Sequence, residues 1–279
     1  MKILLMGATG NAGTPAVKAL QAKGIRPTAA VRDIAKAKAH LGEDLDFVHF
    51  DYTDPGTFDS ALDGVDRLFL IAPPGSKDPA IVRKIMQVAK DKGVGFILFQ
   101  SGRTSGSVEG KPLNQIEKDI SNNDLNCCIL RPAWYMQNFH TWMGTTLEDD
   151  EICLPTGKGK IAFIYLQDLG AAIAEILSTD GHGGKNYNLT GAEALDHYQV
   201  ASIFSEGTGR SIEYKDLSDD DYVKKMIEKG WTEKSAKYCG WLFNRAKNGS
   251  EEEMTADLSN LLGRVPKSFL EFVKDEFGS

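Results

Sequence analysis

The chain has 279 residues, with 42% hydrophobic and 25% charged, a formal net charge of −7 and a pI near 5.3. That is enough chain to bury a large core in one or two domains, and the acidic balance argues against non-specific binding to nucleic acid or to an anionic membrane. No apolar run reaches the length of a membrane span, no signal-peptide pattern opens the chain, and Cys127, Cys128, Cys153 and Cys239 include no C-x-x-C pair. A reduced, cytoplasmic protein without disulfides is expected. The histidines at 40, 49, 140, 182 and 197 are too scattered for a local metal motif.

The first thirteen residues, MKILLMGATGNAG, carry the strongest local signal. Ile3 to Met6 is an apolar run suited to a buried parallel strand. Gly7, Gly10 and Gly13 follow in a G-x-x-G-x-x-G spacing, and Thr14-Pro15 opens a helix, where the missing proline N–H costs nothing. Strand, glycine turn and helix in that order form a dinucleotide site. The glycines let the backbone approach a pyrophosphate, and the helix N-terminus offers unpaired N–H groups to it. The spacing differs from G-x-G-x-x-G, and a glycine turn in a parallel sheet that binds nothing is the plainer alternative.

After a first helix (14–22), Pro27 to Val31 reads as a second strand ending in Val31-Arg32-Asp33. An acidic side chain at this tip binds the ribose 2′-hydroxyl of NAD, whereas an arginine suits the 2′-phosphate of NADP. Arg32, with Lys36 one helical turn on, favours the phosphate, although Asp33 could face the ribose instead. A third strand covers 46–50 and ends at Asp51-Tyr52, and a short helix runs from Asp54-Pro55 to Leu62. Arg67 to Ile71 is a fourth strand, entering the loop Ala72-Pro73-Pro74-Gly75 where a nicotinamide would lie. Asp78-Pro79 caps the next helix, and Gly95 to Gln100 forms a fifth strand ending at Ser101. This alternation predicts an α/β fold with a doubly wound parallel sheet.

Residues 101–112 read as a mobile glycine- and serine-rich loop, 113–123 as a helix and 127–130 as a strand whose paired cysteines are core residues. Short strands are expected at 152–154, 161–164 and 186–189, with a helix at 168–178. The tail is mostly helical, at about 197–208, 219–229, 232–247 and 268–277. The expected organisation is a nucleotide-binding domain over 1–150, with strands returning from 151–190, and a small, mostly helical lobe over 191–279. Trp134, Trp142, Trp231 and Trp241 all lie in the second half. They suit a cap over an apolar or aromatic small molecule, or simply a core.

With these residues in hand, the chain resembles the short-chain dehydrogenase/reductase superfamily, and within it the atypical NmrA-like branch. The resemblance rests on GATGNAG (7–13), VRD (31–33), IAPPG (71–75), RPAWYMQN (131–138), Asp168, NLTG (188–191) and LLGRVPKSFLEFVKD (261–275). It implies a Rossmann domain binding NADP(H) under a small C-terminal lobe. Members include quinone and azo-dye-type reductases, phenylpropanoid reductases and non-catalytic redox sensors. Cofactor contacts are then expected at Gly7, Thr9, Gly10, Asn11, Ala12, Arg32 and Lys36. Others are expected at Asp51, Tyr52, Ala72, Pro73, Ser101, Lys118, Pro132 and Tyr135.

The superfamily's usual catalytic set is a serine with a Tyr-x-x-x-Lys helix. Here Ser101 and Lys118 stand in their places, but Asn114 replaces the tyrosine. An amide neither gives nor takes a proton near neutral pH, and losing a positioned acid costs about 10²–10⁴ in rate. Simple ketone reduction and sugar epimerisation are therefore disfavoured. Hydride transfer to a quinone or azo acceptor needs no such acid, because the product anion is delocalised. Tyr135 or Tyr165 could supply a proton instead, though packing is the more ordinary role for each. The competing expectation is an NADP(H)-sensing protein that acts through a protein partner, and a homodimer is compatible with either reading.

Overall fold

The computed structural model describes all residues except 74, 76, 77, 123, 124 and 279, with the backbone alone at 104 and 105. Pro74 of the expected proline loop and Asn123 at an expected helix end thus lie outside the described residues. The strands are β1 (Ile3–Met6), β2 (Thr28–Val31), β3 (Asp46–His49), β4 (Arg67–Ile71), β5 (Phe96–Gln100), β6 (Cys127–Pro132), β7 (Glu151–Leu154), β8 (Asn186–Leu189) and β9 (Glu213–Asp216). The helices of the first half are α1 (Gly13–Ala22), α2 (Ile34–Leu41), α3 (Phe58–Ala61), α4 (Ala80–Asp91), α5 (Arg103–Ser107) and α6 (Pro112–Ser121). Those of the second half are α7 (Leu166–Ser178), α8 (His197–Thr208), α9 (Asp219–Glu228), α10 (Glu233–Lys247), α11 (Asp257–Leu262) and α12 (Phe269–Phe277).

Two compact units share the chain. One comprises Met1–Pro132, Leu166–Leu189 and Asp257–Arg264; the other comprises Ala133–Tyr165, Thr190–Ala256 and Val265–Ser279. Residue 150 falls inside the second unit, so no single cut there separates them.

The first unit is built on a seven-stranded parallel sheet of order β3-β2-β1-β4-β5-β6-β8. Its inner strands, β1, β2, β4, β5 and β6, are largely apolar because both faces are covered, whereas the edge strands β3 and β8 are part-exposed and polar. Leu4, Met6, Leu68, Leu70, Ile97, Phe99, Cys127 and Ile129 share one face with Val82, Ile85 and Met86 of α4 and with Ile116 and Ile120 of α6. Leu5, Phe69, Leu98, Cys128 and Leu130 alternate with them and are also buried. On that side α1 and α7 pack so closely that a Cβ on Gly170 would lie 2.5 Å from Pro15. Strand order reverses between β1 and β4, and in such sheets ligands bind outside the strand carboxyl ends at this reversal.

The second unit has a two-stranded parallel sheet, β7-β9, and an aromatic core. Phe139 lies 5.2 Å from Phe204, 5.5 Å from Phe269 and 5.7 Å from Phe163, ring centre to ring centre. Trp134, Trp142 and Trp231 pack against this core, while Trp241 is exposed and stacked on Tyr238. Core packing thus accounts for three of the four tryptophans.

Several sequence expectations need correction. Residues 101–112 are not a plain loop, since α5 lies within them. Residues 161–164 form no strand; Ile161 and Ile164 make only isolated bridges, to Leu195 and Tyr135. Strand β9 and helix α11 are additional to the elements that the sequence predicts. Cys127 and Cys128 are core residues as expected, and burial pushes both thiols up to about 12. Among the described residues, no helix is long and apolar enough to cross a membrane, and no His/Cys/Asp/Glu group could hold a metal ion.

Candidate functional site

The glycine turn has the form a phosphate cradle requires. Gly7 adopts φ +66°, a region that favours glycine, and its carbonyl accepts the Gly10 N–H at 2.9 Å. A Cβ on Gly13 would lie 2.1 Å from that same carbonyl oxygen, so only glycine lets α1 start this close to the turn. Thr9, Gly10 and Asn11 are exposed while Ala8, Ala12 and Gly13 are buried. Helix α1 begins at Gly13, its N-cap residue Ala12 gives no side-chain cap, and its first turn has no acidic residue. Its positive end is therefore not neutralised locally.

Beside the turn lies a cleft of about 450 Å³ lined by Gly7, Thr9, Ala30, Val31, Arg32, Asp33, Lys36, Ala37, His40, Phe50 and Tyr52. At the strand tip, Arg32 and Asp33 both line this cleft. Asp33 is the N-cap of α2, and its carboxylate accepts the Lys36 N–H at 3.0 Å. That leaves Arg32 and Lys36, both exposed, as cations facing the cleft. Tyr52 donates its hydroxyl to the Ile71 carbonyl at 2.6 Å and sets its ring edge-on to Phe50, 4.9 Å away. Burial raises the Tyr52 phenol, so it stays protonated as a donor. Asp51 adjoins the cleft without lining it; Thr53 holds its carboxylate below the usual range through backbone and side-chain hydrogen bonds.

The remaining expected residues fall elsewhere. Ala72 packs at the edge of the sheet core, and Pro73 is half-buried. Pro132 ends β6, paired with Leu189 of β8. Tyr135 belongs to the second unit, bridged to Ile164 at the start of a short 3-10 turn. Tyr165, also there, lies under the Lys267 ammonium at 4.6 Å, and burial raises its phenol.

Ser101, Asn114 and Lys118 lie around α5 and α6. Ser101 is 6% exposed, and its Oγ has no hydrogen-bond partner among the described residues. Asn114 donates from Nδ2 to the Gly106 carbonyl at 2.8 Å, leaving its own oxygen buried without a partner. A Cβ on Gly106 would meet Glu117 Oε1 at 2.3 Å and Ser101 Oγ at 2.6 Å, so α5 sits directly over the serine. Glu117 is fixed in turn by Arg131, whose Nη2 lies 2.6 Å from Oε2. Lys118 points to solvent, paired with Glu109 at 3.1 Å, both side chains being more than half exposed. Such a pair is worth little and releases its lysine readily.

Two further motif residues are structural. Asp168 is 2% exposed and accepts Arg264 Nη2 at 2.5 Å, while Asp257 accepts the Asn188 N–H at 2.8 Å. Sequence reasoning missed His40 and Phe50 in the cleft. His40 could have been found as the residue four after Lys36 on one helix face.

The chain is similar along its whole length to several known proteins. Prestalk A differentiation protein A of Dictyostelium discoideum is 29% identical over 284 residues, covering 100% of this chain and 93% of that protein. Quinone oxidoreductase 2 of Escherichia coli is 29% identical over 282 residues, covering 99% and 98%. The crystal structure of the NADPH-dependent quinone oxidoreductase from Escherichia coli with NADPH superposes with a TM-score of 0.89 at 28% identity, covering 99% of both chains. The NmrA-like family matches residues 1–273, and this chain belongs to it.

Proposed function

We propose that the protein is an NADP(H)-dependent reductase that passes hydride to a small planar acceptor such as a quinone or azo compound. The observation that carries this reading is the cleft wall, where Arg32 and Lys36 line the space beside the glycine turn and one carboxylate oxygen of Asp33, in the same wall, is engaged as a helix cap. A planar guanidinium and an ammonium match a phosphate monoester, whereas a ribose hydroxyl would call for the carboxylate. The uncapped start of α1 takes the pyrophosphate. The similarity to a quinone oxidoreductase solved with NADPH supports the same cofactor and acceptor class.

When bound, the reduced nicotinamide supplies the hydride. The chain's part is to hold that cofactor and an acceptor in register, which alone can contribute several kcal/mol to a barrier. Asn114 holds the Gly106 carbonyl and cannot deliver a proton, so the product must be an anion stable enough for water to protonate. Lys118 can leave Glu109 to hydrogen-bond ribose hydroxyls, and Ser101 offers a buried hydroxyl with spare capacity.

A second reading is an NADP(H)-responsive regulator acting through a protein partner. The buried Ser101 hydroxyl and the likeness to a protein named for differentiation favour it. Purified protein mixed with NADPH and a panel of quinones, azo dyes and enones separates the two. Loss of NADPH absorbance with the planar acceptors supports the reductase. Tight NADPH binding without turnover on any acceptor refutes it.

A further inference from the structure

We propose that His40 is a third ligand of the cofactor 2′-phosphate and helps set the preference for NADP(H) over NAD(H). The proposal rests on the reading of the Arg32–Lys36 cleft as the 2′-phosphate site. Lys36 and His40 are four apart on α2, so they share a helix face, and both line the same cleft as Arg32. Among the described residues, Asp33 is the only acidic one lining that cleft, and one of its carboxylate oxygens already accepts the Lys36 N–H. Nothing else in the lining competes with an anion for His40.

The ring's hydrogen bonds show how it can serve. His40 Nε2 lies 3.2 Å from Thr14 Oγ1, and Thr14 Oγ1 lies 3.2 Å from the Ala8 carbonyl oxygen. The hydroxyl has one hydrogen to give. If it goes to Ala8, His40 Nε2–H donates to Thr14, and Nδ1 of the neutral ring is a bare acceptor. If the hydroxyl turns to His40 Nε2 instead, the ring proton resides on Nδ1, which then becomes a donor. A protonated ring donates from Nδ1 as well. Thr14 thus accommodates the donor form that a phosphate oxygen requires, at the loss of one local hydrogen bond. Among the described residues, His40 Nδ1 makes no other hydrogen bond. A hydrogen bond to a phosphate oxygen is charge-assisted, roughly twice as strong as one to a ribose hydroxyl, so the ring discriminates between the two cofactors.

The test is calorimetric titration of the full-length wild type, His40→Ala and Arg32→Ala with NADP⁺ and with NAD⁺. His40 is exposed, so its truncation leaves the core intact, and NAD⁺ affinity serves as the control for a folded site. His40→Ala is expected to lose about tenfold in NADP⁺ affinity with NAD⁺ binding unchanged. An equal loss for both cofactors, or no loss for NADP⁺, overturns the proposal. In those cases Arg32→Ala tells which premise failed. If Arg32→Ala selectively weakens NADP⁺, the cleft is the phosphate site and only the role of His40 is wrong. If Arg32→Ala weakens both cofactors equally, the 2′-phosphate reading of the cleft falls too.

Discussion

Acidification from about pH 7 to pH 5 will remove about 2 kcal/mol of stability through His197 alone. The ring is fully buried in the second unit, with centres 6.2 Å from Phe139, 6.0 Å from Phe163 and 5.6 Å from Tyr214. Nδ1 is 2.8 Å from Thr156 Oγ1, and buried Nε2 has no partner, so the site is built for a neutral imidazole. Burial pushes the folded pKa from 6.5 down to about 3, with the charge of Asp216 opposing weakly. A histidine depressed in this way contributes stability that is intact above the unfolded pKa. That stability is lost as pH falls from 6.5 towards 3. At about pH 5 the unfolded ring is protonated and the folded ring is not; ~1.5 pH units below the unfolded value, at ~1.4 kcal/mol each, gives about 2 kcal/mol.

The comparison is urea denaturation of wild type and His197→Asn at both pH values. Asparagine places an amide near Nδ1, able to meet Thr156 without titrating. Tryptophan fluorescence is the natural probe, because all four tryptophans belong to the second unit with His197. The variant will be less stable at neutral pH, since it leaves a cavity, but its loss on acidification should be smaller by about 2 kcal/mol. His182, also depressed mainly by burial, contributes equally to both proteins and cancels. Identical pH dependence in the two proteins would refute the reasoning.

Three other outcomes are expected. Gly13→Ala forces a methyl against the Gly7 carbonyl and Ala8 Cα, at 2.1 and 2.6 Å, neither of which can rotate away. It should cost about 1–3 kcal/mol in thermal unfolding and weaken NADPH binding; wild-type values for both would mean α1 does not start where it is described. Arg131→Met strands the Glu117 carboxylate, 7% exposed, and should cost about 3–5 kcal/mol, much of it regained in the double variant with Glu117→Leu. Equal instability of single and double variants by chemical denaturation would deny that cause. Asn114→Ala should slow quinone reduction by less than about tenfold, whereas a loss of about 10²–10⁴ would make Asn114 part of the proton path after all.

What the sequence reveals depends on how locally each feature is determined. The inner strands of the seven-stranded sheet are legible as apolar runs, while the edge strands β3 and β8 are polar and part-exposed and are legible only from their place in the β-α alternation. Ile161 to Ile164 looks like one more such run. It is instead wholly buried chain that pairs once at each end, and an apolar stretch alone does not distinguish the two. Strand β9, EYKD, buries one apolar side chain, Tyr214, among charged residues, too short an alternation to announce a strand, and it pairs with β7. The sequence offers Asp33 as a residue that could face the ribose, but aspartate just before a helix is also the ordinary cap, and that rule points to the cap observed.

The same distinction separates the cofactor side of the site from its catalytic side. Gly13 is required by an oxygen six residues earlier in one turn, so its spacing from Gly7 exposes it in any reading of the sequence. Gly106 is required just as strictly, but by Ser101 at the end of β5 and Glu117 in the middle of α6, the latter held by Arg131 of β6. No spacing rule connects those residues, because tertiary packing brings them together. The RTSGS segment, poor in helix formers, therefore reads as loop, although its glycine is the contact that lets α5 close on the serine. Cofactor recognition here is written within single turns and caps, while control of the reactive side is written across elements. Variation at residue 106 will consequently be tolerated only with compensating change at 101 or 117.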